Sequence, residues 1–238
     1  MGLNPAGVTK SVRMNIEKYD EIRASLPAGV RLVAVSKFKP AEDIATLYQH
    51  GQRVFGENHA QEMRAKHEIL PQDIEWHFIG HLQTNKIKYI APYVALIHSI
   101  DSFDLLKEVN KHALKHNRVI PCLLQFHIAD EETKFGFTFE ECEAMLHDAG
   151  FQELKNVEIH GVMGMATFTD DHAQVRREFQ HLHQIFDDLK AQYFSQNPDF
   201  KEISMGMTDD YPIAVEEGST LIRIGSAIFG PRYYQTED

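Results

Sequence analysis

Cysteine is scarce in this chain, and so are long apolar runs. The 238 residues include two cysteines, Cys122 and Cys142, and their spacing predicts neither a disulfide framework nor a metal-binding knuckle. No stretch approaches the roughly 18 consecutive apolar residues of a membrane span. The first ten residues also lack the apolar segment of a secretory signal. We therefore expect a cytoplasmic protein with reduced thiols and no membrane partner.

Positive charge is also in short supply. The chain has 24 Lys and Arg residues against 35 Asp and Glu residues, which gives a formal net charge of −11. Because no dense basic stripe stands out, a nucleic-acid partner is not expected. An anionic ligand would have to be held by local groups, since the field of the whole protein repels it.

Apolar segments of strand type alternate with helical segments along most of the chain. Because most of these segments are continuously apolar, they are typical of parallel strands that are buried on both faces. The eight predicted strands span residues 31–37, 53–58, 75–81, 95–100, 119–128, 157–165, 202–207 and 220–230.

This alternation predicts the fold class α/β, as a single (β/α)8 TIM-type barrel domain over residues 1–238. The segment 11–26 predicts an extra amphipathic helix before the first strand. A doubly wound open sheet is the alternative. Its dinucleotide-binding form is disfavoured because no Gly-x-Gly-x-x-Gly sequence follows the first strand.

Lys37 stands at the end of the first predicted strand, in "RLVAVSKFKP". Alternation along the strand places Val33, Val35 and Lys37 on one face, and barrel active sites lie at the C-terminal ends of the strands. Burial lowers the pKa of a lysine and frees its amine, so Lys37 is a candidate nucleophile. The alternative is a lysine that merely extends from the strand end into solvent.

The seventh and eighth predicted strands end in small residues. In barrels the loops after these strands often bind phosphate, and residues 204–208 and 225–227 would let backbone N–H groups approach an anion. Arg223 shares a strand face with Leu221 and Gly225, and a buried arginine needs an acceptor, such as a phosphate, a carboxylate or a ring nitrogen. Ordinary turns and an arginine–carboxylate pair are the alternatives.

A lysine, an anion cradle and an inward arginine together suit a phosphorylated aldehyde. Pyridoxal 5′-phosphate (PLP) fits best, because its aldehyde reacts with a lysine amine, its phosphate needs a cradle and its pyridine nitrogen needs a partner.

A family resemblance rests on motifs that follow one another from about residue 31 to residue 234. They are "AVSKFKP", "FGENHAQE", "WHFIGHLQTNK", "IHSIDS", "GVMGM", "SMGMTDDYPIAVEEGSTLIRIGSAIFG" and the ending "RYY". With them the chain resembles the PLP homeostasis protein family (YggS/PROSC type), which is related to the N-terminal barrel domain of alanine racemase.

The resemblance implies a role for each residue of the candidate site. Lys37 would carry PLP as a Schiff base, Arg223 would face the pyridine nitrogen, and Asn58 would line the pocket near the ring. The residues implied to hold the phosphate are Ser204, Gly206, Met207, Gly225 and Ser226.

The fifth predicted strand departs from the family pattern. His127 and Ala129 occupy the region where the family usually has an asparagine, whereas Lys134 and Gly136 match its next motif. The departure concerns the polar contacts at the rim of this strand and not the cofactor site.

Metal binding is not predicted. His77 and His81 lie along one predicted strand, where residues four apart are too distant to share an ion. Two histidine pairs on predicted helices lack an evident third ligand nearby: His112 with His116, and His181 with His183.

Two functions compete for such a site. The first is PLP homeostasis without strong catalytic turnover, and the second is a PLP-dependent amino-acid racemase, which needs a base on each face of the substrate Cα. In alanine racemase-like enzymes the second base comes from a further C-terminal domain and a partner subunit, whereas eight residues follow Gly230 here. His81 is the candidate for a second base. A barrel enzyme for another phosphorylated substrate is a third possibility.

We therefore expect a PLP-binding protein that is not an enzyme. Its expected partners are PLP and apo PLP-dependent enzymes, and its expected state is a monomer or a weak dimer.

Overall fold

The structure is a computed structural model that describes residues 14–130 and 135–231. Within these ranges neighbouring strands pair in parallel in chain order, and the last strand pairs with the first, so that the sheet closes into a barrel. The predicted (β/α)8 barrel is confirmed, and the open-sheet alternative is wrong. The strands are β1 (Arg31–Val35), β2 (Val54–Glu57), β3 (Glu75–Phe78), β4 (Leu96–Ile100), β5 (Ile120–Gln125), β6 (Val157–Met163), β7 (Glu202–Ser204) and β8 (Leu221–Ile224).

Helices connect the strands on the outside of the barrel. None of those in the described ranges combines the length and the apolar character that crossing a membrane requires. They are α1 (Ile16–Ser25), α2 (Ala41–Gln49), α3 (Ala60–His67), α4 (Phe103–Lys115), α5 (Phe139–His147), α6 (Ala149–Gln152), α7 (His172–Gln192), α8 (Tyr211–Glu216) and α9 (Ser226–Phe229), with a 3₁₀ helix (Thr84–Tyr89) between β3 and β4.

The extra helix predicted before the first strand is confirmed as α1. It begins after Asn15, whose side chain accepts a hydrogen bond from the Lys18 amide at 2.8 Å and so satisfies a free N–H group of the first turn. The Asn15 amide also donates to the Ile228 carbonyl at 2.7 Å. This bond ties the start of α1 to α9.

Four predicted strands, 31–37, 53–58, 202–207 and 220–230, extend past the observed ones at the end that carries residues of the candidate site. The first predicted strand reached residue 37, but β1 ends at Val35 and a turn follows, closed by a bond from the Lys39 amide to the Ser36 carbonyl at 3.0 Å. The last one reached residue 230, but β8 ends at Ile224 and α9 begins at Ser226. There the amides of residues 228 and 229 bond back to the Gly225 carbonyl instead of to a neighbouring strand.

The barrel interior holds a small apolar layer, separate from the larger core between the strands and the helices. Ile222 and Ile224 belong to the outer core, so alternation along β8 turns Leu221 and Arg223 inward. Arg223 therefore lies one step closer to the C-terminal rim than this layer. The inner layer consists of Val33, Val54, Leu96, Leu123, Met163 and Leu221.

Candidate functional site

Lys37 lies in the turn that directly follows β1, at the C-terminal rim of the barrel. Because β8 pairs with β1, Val33 lies opposite Arg223 in the register. A β-carbon at Gly225 would lie 3.2 Å from the Val35 carbonyl oxygen, so the two strand ends pack closely. The closed barrel thereby brings the first and last candidate residues of the sequence to one edge.

The predicted anion cradle lies at the glycines that follow β7 and β8. Gly206 has a φ of +97°, and a β-carbon there would lie 2.6 Å from the Ala214 β-carbon. Ser226 joins the two loops, since its hydroxyl lies 3.3 Å from the Thr208 hydroxyl. Glycine at position 206 therefore lets α8 pack directly against the loop after β7, and small residues at these two strand ends are compatible with a phosphate site.

Met207 is exposed at the edge of this cradle. Its amide donates to Asp210 Oδ1 at 2.6 Å, at the start of α8. Burial raises the pKa of the Asp210 carboxyl, whereas Arg223 acts in the opposite direction. The predicted role of Met207 in holding a phosphate therefore requires this bond to be shared or exchanged.

Asn58 follows β2 and carries an orphaned acceptor. Its Oδ1 atom is buried and has no hydrogen-bond partner among the described residues. The backbone of Gly80 packs so closely that a β-carbon there would lie 2.5 Å from the Asn58 carbonyl oxygen. A buried acceptor without a donor is costly, and a ligand that supplies a donor would satisfy it.

A chain of polar side chains crosses the barrel interior. His77 Nδ1 lies 2.9 Å from His98 Nε2, and His98 Nδ1 lies 2.8 Å from the Ser204 hydroxyl. Arg223 donates to that hydroxyl at 2.5 Å and to the Gly164 carbonyl at 3.2 Å. The interior of the barrel therefore orients Arg223 through the Ser204 hydroxyl and two imidazoles.

Burial lowers the pKa of the three ionisable members of this chain, His77, His98 and Arg223. It lowers the pKa of His77 to about 3 and that of His98 well below its ordinary value. It also lowers the pKa of Arg223 to about 10, which leaves the guanidinium charged at neutral pH. Because Arg223 can only donate, Ser204 accepts from it and can donate its own proton to Nδ1 of a neutral His98.

Ser204 occupies a different setting from the one that the family resemblance implied. It is fully buried inside the barrel on Arg223 and His98, whereas Ser226 is exposed at the rim. A role of Ser204 in holding a phosphate stays a prediction. Its contacts in the structure are those of a residue that orients Arg223.

His98 was not predicted from the sequence as a site residue, and His77 was considered only as a metal ligand. The signal was available in part, because alternation along β4 puts His98 on the same inward face as Leu96. The contact between His77 and His98 depends on the pairing of β3 with β4.

A second group of side chains lies at the rim where β3, β4 and β5 end. His81 stacks on Phe135 with ring centroids 4.1 Å apart and lies 3.3 Å from the Asp101 carboxylate. These side chains line a cavity of about 720 Å³ between α4 and α5. Ala129 is buried, whereas Lys134 and the "RYY" motif at 232–234 lie outside the described residues.

Acid should destabilise the protein through the two buried histidines. In the folded state their pKa values lie below 6.5, so below that pH the unfolded chain takes up protons that the folded chain does not bind. Each histidine should remove about 1.4 kcal/mol of unfolding free energy per pH unit, down to its folded-state pKa. We expect His77→Asn, which keeps a polar atom near the position of Nδ1, to reduce the slope of unfolding free energy against pH by about the contribution of one histidine.

Urea unfolding between pH 7 and about pH 4 measures the effect. The difference between variant and wild type cancels the other titrating groups, and His172→Asn on the surface of α7 is the control. If the unfolding free energies of wild type and His77→Asn keep a constant difference over this pH range, His77 is not neutral and buried as the structure indicates.

Comparison with known proteins finds relatives along most of the chain. The family model of the N-terminal domain of alanine racemase matches residues 11–233. The chain is 40% identical over 205 residues to the pyridoxal phosphate homeostasis protein of Aquifex aeolicus, an alignment that covers 86% of this chain and 88% of that relative.

Solved structures share the barrel. PipY of Synechococcus elongatus without PLP superposes with a TM-score of 0.81 at 36% identity, over 90% of this chain and 99% of PipY. The same protein with PLP bound gives a TM-score of 0.79 at 34% identity over the same shares. Alanine racemase from Bartonella henselae, with covalently bound pyridoxal phosphate, gives 0.69 at 15% identity over 92% of this chain and 60% of that enzyme. This last likeness shows the fold alone.

Proposed function

Because this chain belongs to the pyridoxal phosphate homeostasis protein family and matches the alanine racemase N-terminal domain, we propose that it holds PLP on Lys37 and takes part in PLP homeostasis without strong catalytic turnover. One observation carries the proposal for the site. The pairing of β8 with β1 puts the turn of Lys37 beside the two-glycine cradle and the inward Arg223. The relative PipY, whose structure is known with PLP bound, supports the choice of cofactor.

PLP supplies an aldehyde that condenses with an amine. Lys37 Nζ would bond to the aldehyde carbon, and both hydrogens of the neutral amine would leave with the aldehyde oxygen as one water molecule. Lys39, two residues on, is engaged elsewhere: its Nζ donates to the carbonyls of Phe229 at 2.8 Å, Gly230 at 3.2 Å and Pro231 at 2.9 Å. Burial lowers the pKa of Lys39, but three carbonyl acceptors favour its charged form. These three bonds hold Lys39 at the end of α9 and count against Lys39 as the reacting amine.

Arg223 is the residue that we assign to the pyridine nitrogen. Among the described residues, Ser204 and Gly164 accept from two of its five N–H groups, which leaves donors for a ligand. A cation beside the ring nitrogen opposes protonation of the ring, and an unprotonated ring withdraws electrons less strongly. This electrostatic effect supports a carrier of PLP over an efficient enzyme.

Delivery of PLP to apo PLP-dependent enzymes, a monomeric or weakly dimeric state and a cytoplasmic location are the finer parts of this proposal. The location rests on the two cysteines, which are both unpaired thiols in the structure.

Exchange of the substrate Cα proton separates this function from a racemase. The protein is loaded with PLP, freed of excess cofactor by gel filtration and incubated with L-alanine in D₂O. We expect retained PLP, slow deuterium incorporation and retained configuration, because Arg223 weakens proton abstraction and one candidate base, Lys37, lies on the cofactor side.

Two results would contradict the proposal. Loss of all PLP during gel filtration would show that the protein does not retain the cofactor. Deuterium incorporation matched by rapid loss of optical activity would support the racemase alternative instead, with His81 as the second base to test first.

A further inference from the structure

The turn that carries Lys37 has a strained backbone. Phe38 has a φ of +61°, which places a bulky side chain in the left-handed region. Residues in this region persist where the surrounding structure holds them, and they are common at functional sites. The side chains that hold this turn are therefore informative about Lys37.

Three charged side chains hold the residues on both sides of Lys37. Lys66 Nζ donates to the Ser36 carbonyl at 2.8 Å. The Ser36 hydroxyl donates to Glu57 Oε1 at 2.6 Å. The Phe38 amide, next to the strained φ, donates to Glu62 Oε1 at 2.6 Å.

The same three side chains are bonded to one another. Lys66 Nζ lies 2.7 Å from Glu57 Oε1 and 2.7 Å from Glu62 Oε1. The side chain of Lys66 is 7% exposed and that of Glu57 is 0% exposed. We call Glu57, Glu62 and Lys66 the turn clamp.

The turn clamp lies behind the barrel wall and not in the barrel mouth. A β-carbon at Gly56 would lie 2.9 Å from the Val33 side chain, so Gly56 faces the barrel interior and the next residue, Glu57, faces α3. Burial raises the pKa of the Glu57 carboxyl to about 7, although Lys66 acts in the opposite direction. Its second oxygen has no partner among the described residues. Burying these charges costs folding free energy, whereas apolar side chains could have packed α3 against the barrel without that cost. The cost suggests that the charged groups have a role beyond packing.

We propose that Glu57, Glu62 and Lys66 are positioning residues that hold the strained turn so that the Lys37 amine is aimed into the barrel mouth. The inference rests on the proposed function, in which Lys37 forms the bond to PLP. None of the three residues has to touch the cofactor, because they act through Ser36 and Phe38.

The test is the rate and position of covalent PLP attachment in clamp variants. Wild type, Lys66→Met and Glu62→Ala are mixed with PLP, quenched with borohydride at intervals and mapped by peptide mass spectrometry. In the folded variants we expect attachment to Lys37 to slow by about tenfold or more, since misplacing a reacting group by about 1 Å can cost 100-fold.

Two further variants separate aiming from mere stability. Lys190→Met is the matched control, because Lys190 also ties a loop through two carbonyls, those of Asn197 at 2.6 Å and Phe200 at 2.8 Å, at the opposite end of the barrel. It should lower the melting temperature without changing the labelling. Glu62→Gln keeps an oxygen acceptor for the Phe38 amide and should label Lys37 nearly as fast as wild type.

Unchanged labelling of Lys37 in both folded clamp variants would overturn the inference while leaving the proposed function intact. Failure of Lys66→Met to fold leaves the decision to Glu62→Ala, whose side chain is partly exposed. Slowing in Lys190→Met equal to that in the clamp variants would also overturn the inference. Absence of label on Lys37 in wild type would reject the proposed function, and the inference with it.

Discussion

We expect Lys37→Ala to abolish the covalent PLP adduct completely. The alanine side chain has no amine, and the neighbouring Lys39 is held by three backbone carbonyls at the end of α9. The cradle around Gly206 and Gly225 is unchanged by the substitution, so PLP should still bind reversibly through its phosphate. Borohydride reduction followed by peptide mass spectrometry measures the adduct, and equilibrium dialysis measures the reversible binding.

Lys39→Ala is the matched control, since it removes an amine from the same turn. It should keep the adduct on Lys37, with some loss of stability because three carbonyls lose their donor. An adduct on Lys39 in wild type, or an adduct of normal yield in Lys37→Ala, would show that the assignment of the reacting lysine is wrong.

The second large effect is expected for Gly206→Ala. At a φ of +97° any β-carbon is strained, and this one would also lie 2.6 Å from the Ala214 β-carbon and 3.0 Å from Tyr211 Cα. Relief requires α8 to move away from β7, which opens the predicted phosphate cradle. The loss of phosphate contacts worth about 1–3 kcal/mol corresponds to a loss of PLP affinity of about 5-fold to 150-fold.

Gly29→Ala provides a close control for this substitution. Gly29 has a φ of +91°, but a β-carbon there would meet nothing within 4 Å, and the residue precedes β1 at the other end of the barrel. The substitution should cost similar backbone strain and leave PLP affinity unchanged. Equal PLP affinities for Gly206→Ala and wild type would contradict the cradle, whereas equal losses in both glycine variants would indicate a general effect of stability.

Apolar runs and their alternation with helical segments were enough to predict the barrel. Eight strand segments, most of them continuously apolar, leave few arrangements in which both faces of the strands are buried, and the closed parallel barrel is one of them. The strand ends were less predictable. An apolar segment such as 220–230 contains both β8 and α9, and apolar character alone does not distinguish a buried strand from a short buried helix.

The position of the candidate site was also predictable in outline. Lys37, Asn58, Gly206 and Gly225 follow four different strands, and in a parallel barrel all strands end on the same rim. Their roles toward PLP came from the family resemblance and stay predictions.

The sequence by itself therefore determined the fold class and the rim on which the candidate residues lie, because both follow from local hydrophobic pattern and chain order. The tertiary structure decided which side chains meet. His98 and Ser204 are 106 positions apart, and Lys66 and Ser36 are 30 apart. Whether such pairs touch depends on strand register, on the inward or outward direction of each side chain and on how α3 packs on the barrel wall. These are set by the closure of the whole barrel, so no local pattern records them.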